Sequence, residues 1–250
     1  MFYAIILAAG RGTRMAANRN KALLPLAGRP LLLYSVETLL IAGAEVLLVA
    51  AEEELAEVAA LAPGCAVVRG GATRRASEWC GLRALRNRLE PDDVVALHDA
   101  ARPLVACADV VRVYEAARAA GAALLAQPVD APLLRPAATA APGSAVPAAV
   151  IEAVAASSIW RAQTPQAARA AWLLDAYGRA ERHHFEGTDT AAVLDWAGYP
   201  VEVVEATRPN PKITVAADIP LAEALLAGDG SRMAEKGAAG RHASGGGEAA

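Results

Sequence analysis

The stretch Phe2-Tyr3-Ala4-Ile5-Ile6-Leu7-Ala8-Ala9-Gly10-Arg11-Gly12-Thr13-Arg14-Met15 joins an unbroken apolar run, Phe2–Ala8, to a turn built on glycine. An apolar run without polar alternation suits a strand covered on both faces of a parallel sheet. Gly10 and Gly12 then let the backbone come close to a ligand, and amides at such a turn suit phosphate oxygens. Arg11, Arg14 and Lys21 add positive charge nearby. The turn lacks the spacing of a P-loop and the third glycine of a dinucleotide fingerprint. It reads as a seat for nucleotide phosphates or, taken alone, as a tight turn with solvated arginines.

Outward from it, Val46–Ala50, Ala66–Val68, Val94–Leu97 and Ala122–Ala126 are further apolar runs of strand length. The longer segments Leu31–Ala42, Glu52–Leu61, Arg75–Leu89 and Ala108–Ala120 between them read as helices. This alternation predicts a doubly wound α/β fold with a mostly parallel, Rossmann-like sheet and ligands at the carboxyl ends of its strands. One domain is expected over 1–228. The proline- and alanine-rich stretch from Pro128 to Ala156 breaks the rhythm, with Val150–Val154 as a returning strand, and predicts a protruding β-arm over about 129–156. Ala217–Ala227 reads as the last helix, with Asp218 near its start and Gly228 after its end. Residues 229–250, rich in glycine, alanine and serine, read as a flexible tail.

The chain has 250 residues and a formal net charge of -3, which gives no reason to expect a nucleic-acid or anionic-membrane partner. Its mean hydropathy of +0.27 reflects alanine. No segment supplies the roughly 20 uninterrupted apolar residues of a spanning helix, and Pro142, Gly143 and Pro147 break the longest uncharged stretch. The apolar start lacks a basic leader and reads as a strand, not a signal peptide. Cys65, Cys80 and Cys107 are odd in number and far apart, which fits buried thiols in a cytoplasmic protein better than disulfides or a metal motif. His183-His184 lacks spaced partners, so no metal site is assigned. Trp79, Trp160, Trp172 and Trp196 lie in helical surroundings and read as core or interface residues.

More specific motifs follow in order: Gly70-Gly71-Ala72-Thr73-Arg74-Arg75-Ala76-Ser77, His98-Asp99-Ala100-Ala101-Arg102-Pro103, Gln163-Thr164-Pro165-Gln166, Thr188-Asp189 and Lys212-Ile213-Thr214. With the opening turn, this series resembles the 2-C-methyl-D-erythritol 4-phosphate cytidylyltransferases of non-mevalonate isoprenoid synthesis. The resemblance runs from about Tyr3 to Leu226. It implies CMP transfer from CTP to the polyol phosphate, with Mg2+ carried mainly on the CTP phosphates. It assigns cytosine to the backbone of Ala8, Ala9 and Gly10, the Gly70-Gly71 turn and Ser77, and places Gly12 on the nucleotide as well. It assigns the triphosphate and transition state to Arg14, Lys21 and Lys212, and the acceptor to Asp99, Arg102, Thr164 and Thr188. It also implies a homodimer joined through the arm.

Bland readings stand beside these. Asp99 could cap the next helix or pair with Arg102. Ser77 could face solvent, and His98 reads as a packed strand-end residue, since this reaction needs no proton shuttle. Three departures from the family pattern bear on the acceptor and base. Ala131 stands where the family carries an acceptor-contacting threonine, Ala156 where it carries an arginine for the acceptor's phosphate, and Ala72 where many members are acidic. A lost charged hydrogen bond costs about 1.5–3 kcal/mol, so the acceptor half is thinned by roughly one to two decades per contact. The competing functions are therefore transfer to another polyol phosphate such as ribitol 5-phosphate, and CTP binding without catalysis.

Overall fold

The computed structural model describes residues 1–10, 20–136, 150–155 and 158–228, with 134–136 and 150–154 described by their backbone only. In chain order the elements are β1 (Phe2–Leu7), β2 (Pro25–Leu26), β3 (Arg29–Pro30), α1 (Leu31–Ile41), β4 (Glu45–Ala50), α2 (Leu55–Leu61), β5 (Ala66–Arg69), α3 (Arg74–Leu85), β6 (Val94–Asp99) and α4 (Cys107–Ala120). Then come β7 (Ala122–Pro128), β8 (Leu133–Pro136), β9 (Val150–Val154), β10 (Trp160–Arg169), α5 (Ala170–Arg182), α6 (Thr190–Trp196) and β11 (Glu202–Glu205). A final helix covers 218–228.

Among the described residues the main sheet has seven strands, in the order β11-β7-β10-β6-β1-β4-β5. β6, β1, β4 and β5 are parallel neighbours, as are β11 and β7. Only β10, antiparallel to both β6 and β7, runs against them. The sheet is therefore mixed, with a parallel block carrying the opening strand at its centre.

Apolar residues throughout β1 are needed because both of its faces are covered. Ala4 and Ile6 join a core with Val36 and Leu39 of α1 and Val110, Val113 and Tyr114 of α4. Tyr3 and Ile5 point to the other core, with Leu82 and Leu85 of α3, Leu173 and Tyr177 of α5, and Val193 of α6. Gly81 lets α3 approach closely, since a Cβ there would lie 2.7 Å from Cγ2 of Ile5. That approach fixes where the start of α3 meets the strand ends.

Two strands of the main sheet, β10 and β11, escape the sequence reading, as do the short strands β2, β3 and β8 outside it. β10 includes Trp160, so this tryptophan begins a strand instead of lying in helical surroundings, whereas Trp79, Trp172 and Trp196 do lie in α3, α5 and α6. The sequence Trp160–Arg169 is polar, lacks a strand period and contains Pro165. It is a strand because neighbours on both sides supply its partners, and its register shifts between Ala162 and Gln166, around the proline. β11 is a short edge strand with Glu202, Val203 and Glu205 exposed, too small a signal to stand out. In the arm, β8 pairs antiparallel with β9, Leu133 facing Val154, so the returning strand is present. Residues 11–19, 137–149 and the tail at 229–250 lie outside the described residues. Among the described residues no helix is long and apolar enough to cross a membrane.

Ile5→Ala and Ile6→Ala delete side chains from opposite faces of one strand. Each is expected to cost about 2–5 kcal/mol in denaturant unfolding. A cost under about 1 kcal/mol for either would show that its face is not packed.

Candidate active site

β1, β4, β5 and β6 end on the same side of the sheet, and the segments following them surround a cavity of about 900 Å³. Three backbone hydrogen bonds set these segments side by side: Ala8 donates to Val49 at 2.8 Å, Gly70 to Ala50 at 2.8 Å, and Ala100 to Leu7 at 3.2 Å. The parallel ladder thus continues past the strand ends, and the loops inherit its spacing. Lys212, Ile213 and Thr214 close the cavity from a distant part of the chain.

One half of the cavity is built from small residues. Ala8, Ala9, Gly10, Gly70, Gly71 and Ser77 all line it. A Cβ on Gly70 would stand 2.6 Å from Cβ of Ala9, and one on Gly71 2.5 Å from Cβ of Ala76. The two turns are therefore packed against each other, and glycine is required there by the protein itself. Gly10 differs, because a Cβ on it would meet nothing within 4 Å. Ser77 does not face solvent. Its hydroxyl accepts from the Gly71 amide at 3.1 Å and donates to the Gly71 carbonyl at 3.3 Å, which pins the glycine turn to α3. Thr73 caps the same helix by accepting from Ala76 at 3.1 Å. Gly12 and Arg14 fall outside the described residues.

Asn20 is a site residue that sequence reasoning missed. Its side-chain amide donates to the Ala8 carbonyl and to Glu54, and its carbonyl accepts from Ala22 at 3.0 Å. It thereby ties the chain at Asn20 to the end of β1 and sets the base of Lys21. Lys21 lines the cavity and donates to the carbonyl of Thr214. The Lys212–Thr214 segment is held in turn by the buried side chain of Ile213, by the Ile213 amide on Ala101 at 2.8 Å, and by Asp218. The Asp218 carboxylate accepts from Thr214 and Val215, and these bonds hold its pKa below the ordinary value. Both lysines thus stand on anchored backbone.

Asp99, the last residue of β6, forms the centre of the other half. It is 7% exposed, and three cations surround it. Nζ of Lys212 lies 2.7 Å from Oδ2, Nη2 of Arg74 3.2 Å from Oδ1, and Nε of Arg102 3.9 Å from Oδ2. Burial pushes the Asp99 pKa up, but Arg74, then Lys212 and Arg102, outweigh it and hold the group below the usual carboxylate range. Asp99 is an ionised hub, not a helix cap.

The remaining sequence candidates take other positions. Thr164 is 2% exposed and does not line the cavity. Its hydroxyl accepts from the Asp99 amide at 3.1 Å and lies 3.0 Å from Nδ1 of His98. The structure therefore gives this side chain the task of fixing Asp99 instead of presenting itself to the cavity. His98 is packed as expected, and burial drives its pKa down to about 4, which leaves it neutral at neutral pH. Thr188 is exposed, and its carbonyl accepts from Arg74 at 3.1 Å. Arg102 donates to the Asn210 carbonyl at 2.8 Å. Gln166 and Asp189, within the quoted motifs, bond to each other at 3.0 Å and hold the start of α6 against β10. Arg74 stood inside a quoted motif without a role. Nothing local in the sequence shows that its guanidinium reaches β6.

Comparison with known proteins bears directly on this cavity. The family model for 2-C-methyl-D-erythritol 4-phosphate cytidylyltransferase matches residues 2–233. The chain belongs to this family. A family member from Halalkalibacterium halodurans is 34% identical, over 91% of this chain and 98% of the relative. One from Bacillus velezensis is 34% identical, over 90% of this chain and 95% of the relative. The crystal structure of the Thermus thermophilus 2-C-methyl-D-erythritol 4-phosphate cytidylyltransferase superposes with a TM-score of 0.71, at 33% identity, covering 90% of this chain and 98% of that one. The chain is thus an enzyme, a nucleotidyltransferase of isoprenoid synthesis.

The two glycine environments separate packing from ligand approach. Gly70→Ala is expected to cost about 1–3 kcal/mol of ligand-free stability through overpacking. Gly10→Ala should stay within about 0.5 kcal/mol of the parent. Unfolding of both variants without ligand checks this, and equal costs would contradict the packing of Gly70 against Ala9.

Proposed function

We propose that the chain transfers CMP from CTP to 2-C-methyl-D-erythritol 4-phosphate in the cytoplasm, using one catalytic domain over 1–228. The observation that carries this reading is the cavity's division. A half of small residues and backbone adjoins a half in which Asp99 is ringed by Arg74, Lys212 and Arg102. The first half suits a flat pyrimidine read by backbone groups, with Ala8, Ala9, Gly10, Gly70 and Gly71 around it and Ser77 holding the turn. The second suits a polyol, whose hydroxyls Asp99 accepts, bearing an anionic phosphate.

An oxygen of the acceptor's phosphate attacks the α-phosphorus of CTP. A new P–O bond forms there as the bond to the β-phosphate oxygen breaks, and pyrophosphate leaves with the bonding electrons. The nucleophile is already an anion, so the protein need not supply a general base. Its task is to neutralise two mutually repelling polyanions and hold them in line. Lys21 and Lys212 approach from separate segments and are assigned to the charge that grows on the transferring phosphate. Arg14 is assigned to the leaving pyrophosphate.

Among the described residues no three His, Cys, Asp or Glu side chains are grouped to hold a metal ion. With Asp99 already engaged by cations, the residues present fit Mg2+ carried on the triphosphate better than a protein cage. Bound in that way, Mg2+ supplies further neutralisation of the phosphate oxygens.

On the acceptor side, Ala131 is exposed and offers no hydroxyl, and Ala156 lies outside the described residues. Arg161 on β10 is near enough to Arg102 for their repulsion to lower the Arg102 pKa, after burial, Asp99 and Arg74 have acted. We assign Arg161, with Arg102, to the acceptor's phosphate. The β8–β9 arm beside the exposed Trp160 is assigned to contact with a second copy.

Pyrophosphate release is expected only with CTP, Mg2+ and methylerythritol phosphate together. Ribitol 5-phosphate in its place separates the alternative acceptor that Ala131 leaves open. No release with any polyol phosphate, while CTP still raises the melting temperature, would leave a nucleotide-binding protein without catalysis. Lys21→Ala and Lys212→Ala should each lower kcat roughly a hundredfold to a thousandfold in the same assay. Near-parental turnover in either would remove that lysine from the mechanism.

A further inference from the structure

Glu78 is a buried acid for which the reaction above has no use. It stands one turn into α3, is 1% exposed, and does not itself line the cavity. The Tyr177 hydroxyl donates to its Oε2 at 2.8 Å and the Thr190 hydroxyl to its Oε1 at 3.2 Å. Nε of Arg74, one helical turn earlier, lies 3.3 Å from Oε1. The same guanidinium presents Nη2 to Asp99 at 3.2 Å and Nη1 to the Thr188 carbonyl at 3.1 Å.

Two buried carboxylates therefore share one arginine, with Asp99 on the cavity and Glu78 behind it. A tethered cation beside two anions is drawn to both, and removing one charge leaves only the pull of the other. Nε and Nη2 of Arg74 are buried and make no well-directed hydrogen bond, so ion pairing sets their place more than directional bonding does. We propose that Glu78 is a positioning residue for the acceptor. By competing with Asp99 for Arg74, it determines how much of the Asp99 carboxylate stays open to acceptor hydroxyls. The proposal rests on the assignment of Asp99 to the acceptor.

The ionisable groups facing Glu78 are Arg74 from its own helix, Tyr177 from α5 and Asp99 from β6. Asp189, heading α6, faces Arg74, and neighbouring His98 is neutral. Burial raises the Glu78 pKa to about 7, although Arg74 and the hydrogen bonds from Tyr177 and Thr190 pull it down. Because that value is raised, Glu78 takes up its proton as pH falls through about 7. Arg74 then moves onto Asp99, and acceptor binding weakens on the acid side.

The test is the KM of each substrate against pH, from about pH 6 to about pH 8.5, a range that brackets the titration. In the parent, the acceptor KM should rise about fivefold to tenfold toward the acid end, the scale of one weakened charge-assisted contact. The CTP KM should move far less. Glu78→Gln should show the raised acceptor KM at every pH, with an unchanged CTP KM as evidence that the fold is intact. Tyr177→Phe removes a bond that favours the charged form, so it should shift the acid limb to higher pH. A residue that merely supports the fold would not move that limb. The proposal is overturned if Glu78→Gln keeps the parent's acceptor limb, or if Tyr177→Phe leaves the limb in place. Asp99→Asn serves as the separating control. An unchanged acceptor KM there would sink the assignment of Asp99, while a raised one alongside parent-like Glu78 and Tyr177 variants would sink only this inference.

Discussion

The carboxylate of Asp99 is held at the end of β6, nearly out of water, by charges from two distant parts of the chain and from its own following loop. Arg74 comes from α3, Arg102 from the loop after β6, and Lys212 from the segment following β11. A lone ionised carboxylate in that position would be strongly disfavoured, since desolvation penalises the charged form. The surrounding cations reverse the balance and keep Asp99 ionised. The arrangement also works in the other direction, because Asp99 lets two arginines and a lysine gather on one side of a cavity without repelling one another apart. Breaking any one of these pairs leaves the rest less compensated, and for that reason the Asp99 half of the cavity behaves as a unit.

The support beneath this hub is largely structural, and much of the family's motif series serves it. Thr164 holds the Asp99 amide, Asn210 holds the Thr164 carbonyl at 3.1 Å, and Arg102 holds Asn210. Gln166 and Asp189 fasten β10 to α6, whose Thr190 bonds Glu78. The antiparallel strand β10 is therefore the beam on which the Asp99 half rests. The glycine-lined half relies on different forces. It depends on the absence of side chains at Gly70 and Gly71, on the Ser77 clasp, and on a continued β ladder. Substitutions should accordingly damage one half while sparing the other.

The legible part of the sequence was the part with local causes. β1, β4, β5, β6 and β7 are apolar runs because both sheet faces are covered, and the helices between them carry the matching apolar residues. The glycine turns after β1 and β5 were legible too, since glycine marks close backbone approach. β10 was not legible, because its strand state comes from pairing with β6 and β7 against a polar, proline-bearing sequence. The partnership of Arg74, Glu78 and Asp99 was hidden for a similar reason. Arg74 and Glu78 lie one helical turn apart on α3, but Arg74 reaches Asp99 only once α3 packs on β1 through Gly81, and no spacing in the chain announces that contact. Thr164 shows the converse limit, since membership of a motif placed it near the site but could not tell contact with ligand from support of Asp99.

In the proposed reaction Asp99 is the charge hub that receives the acceptor, and Lys212 pairs with it until phosphate arrives. A crystal structure of the chain with CTP and methylerythritol phosphate tests this most directly. The account expects acceptor hydroxyls within about 3 Å of the Asp99 carboxylate, and Nζ of Lys212 turned from Asp99 to the phosphates. An acceptor seated elsewhere, with the 2.7 Å pair of Lys212 and Asp99 unchanged, would contradict it.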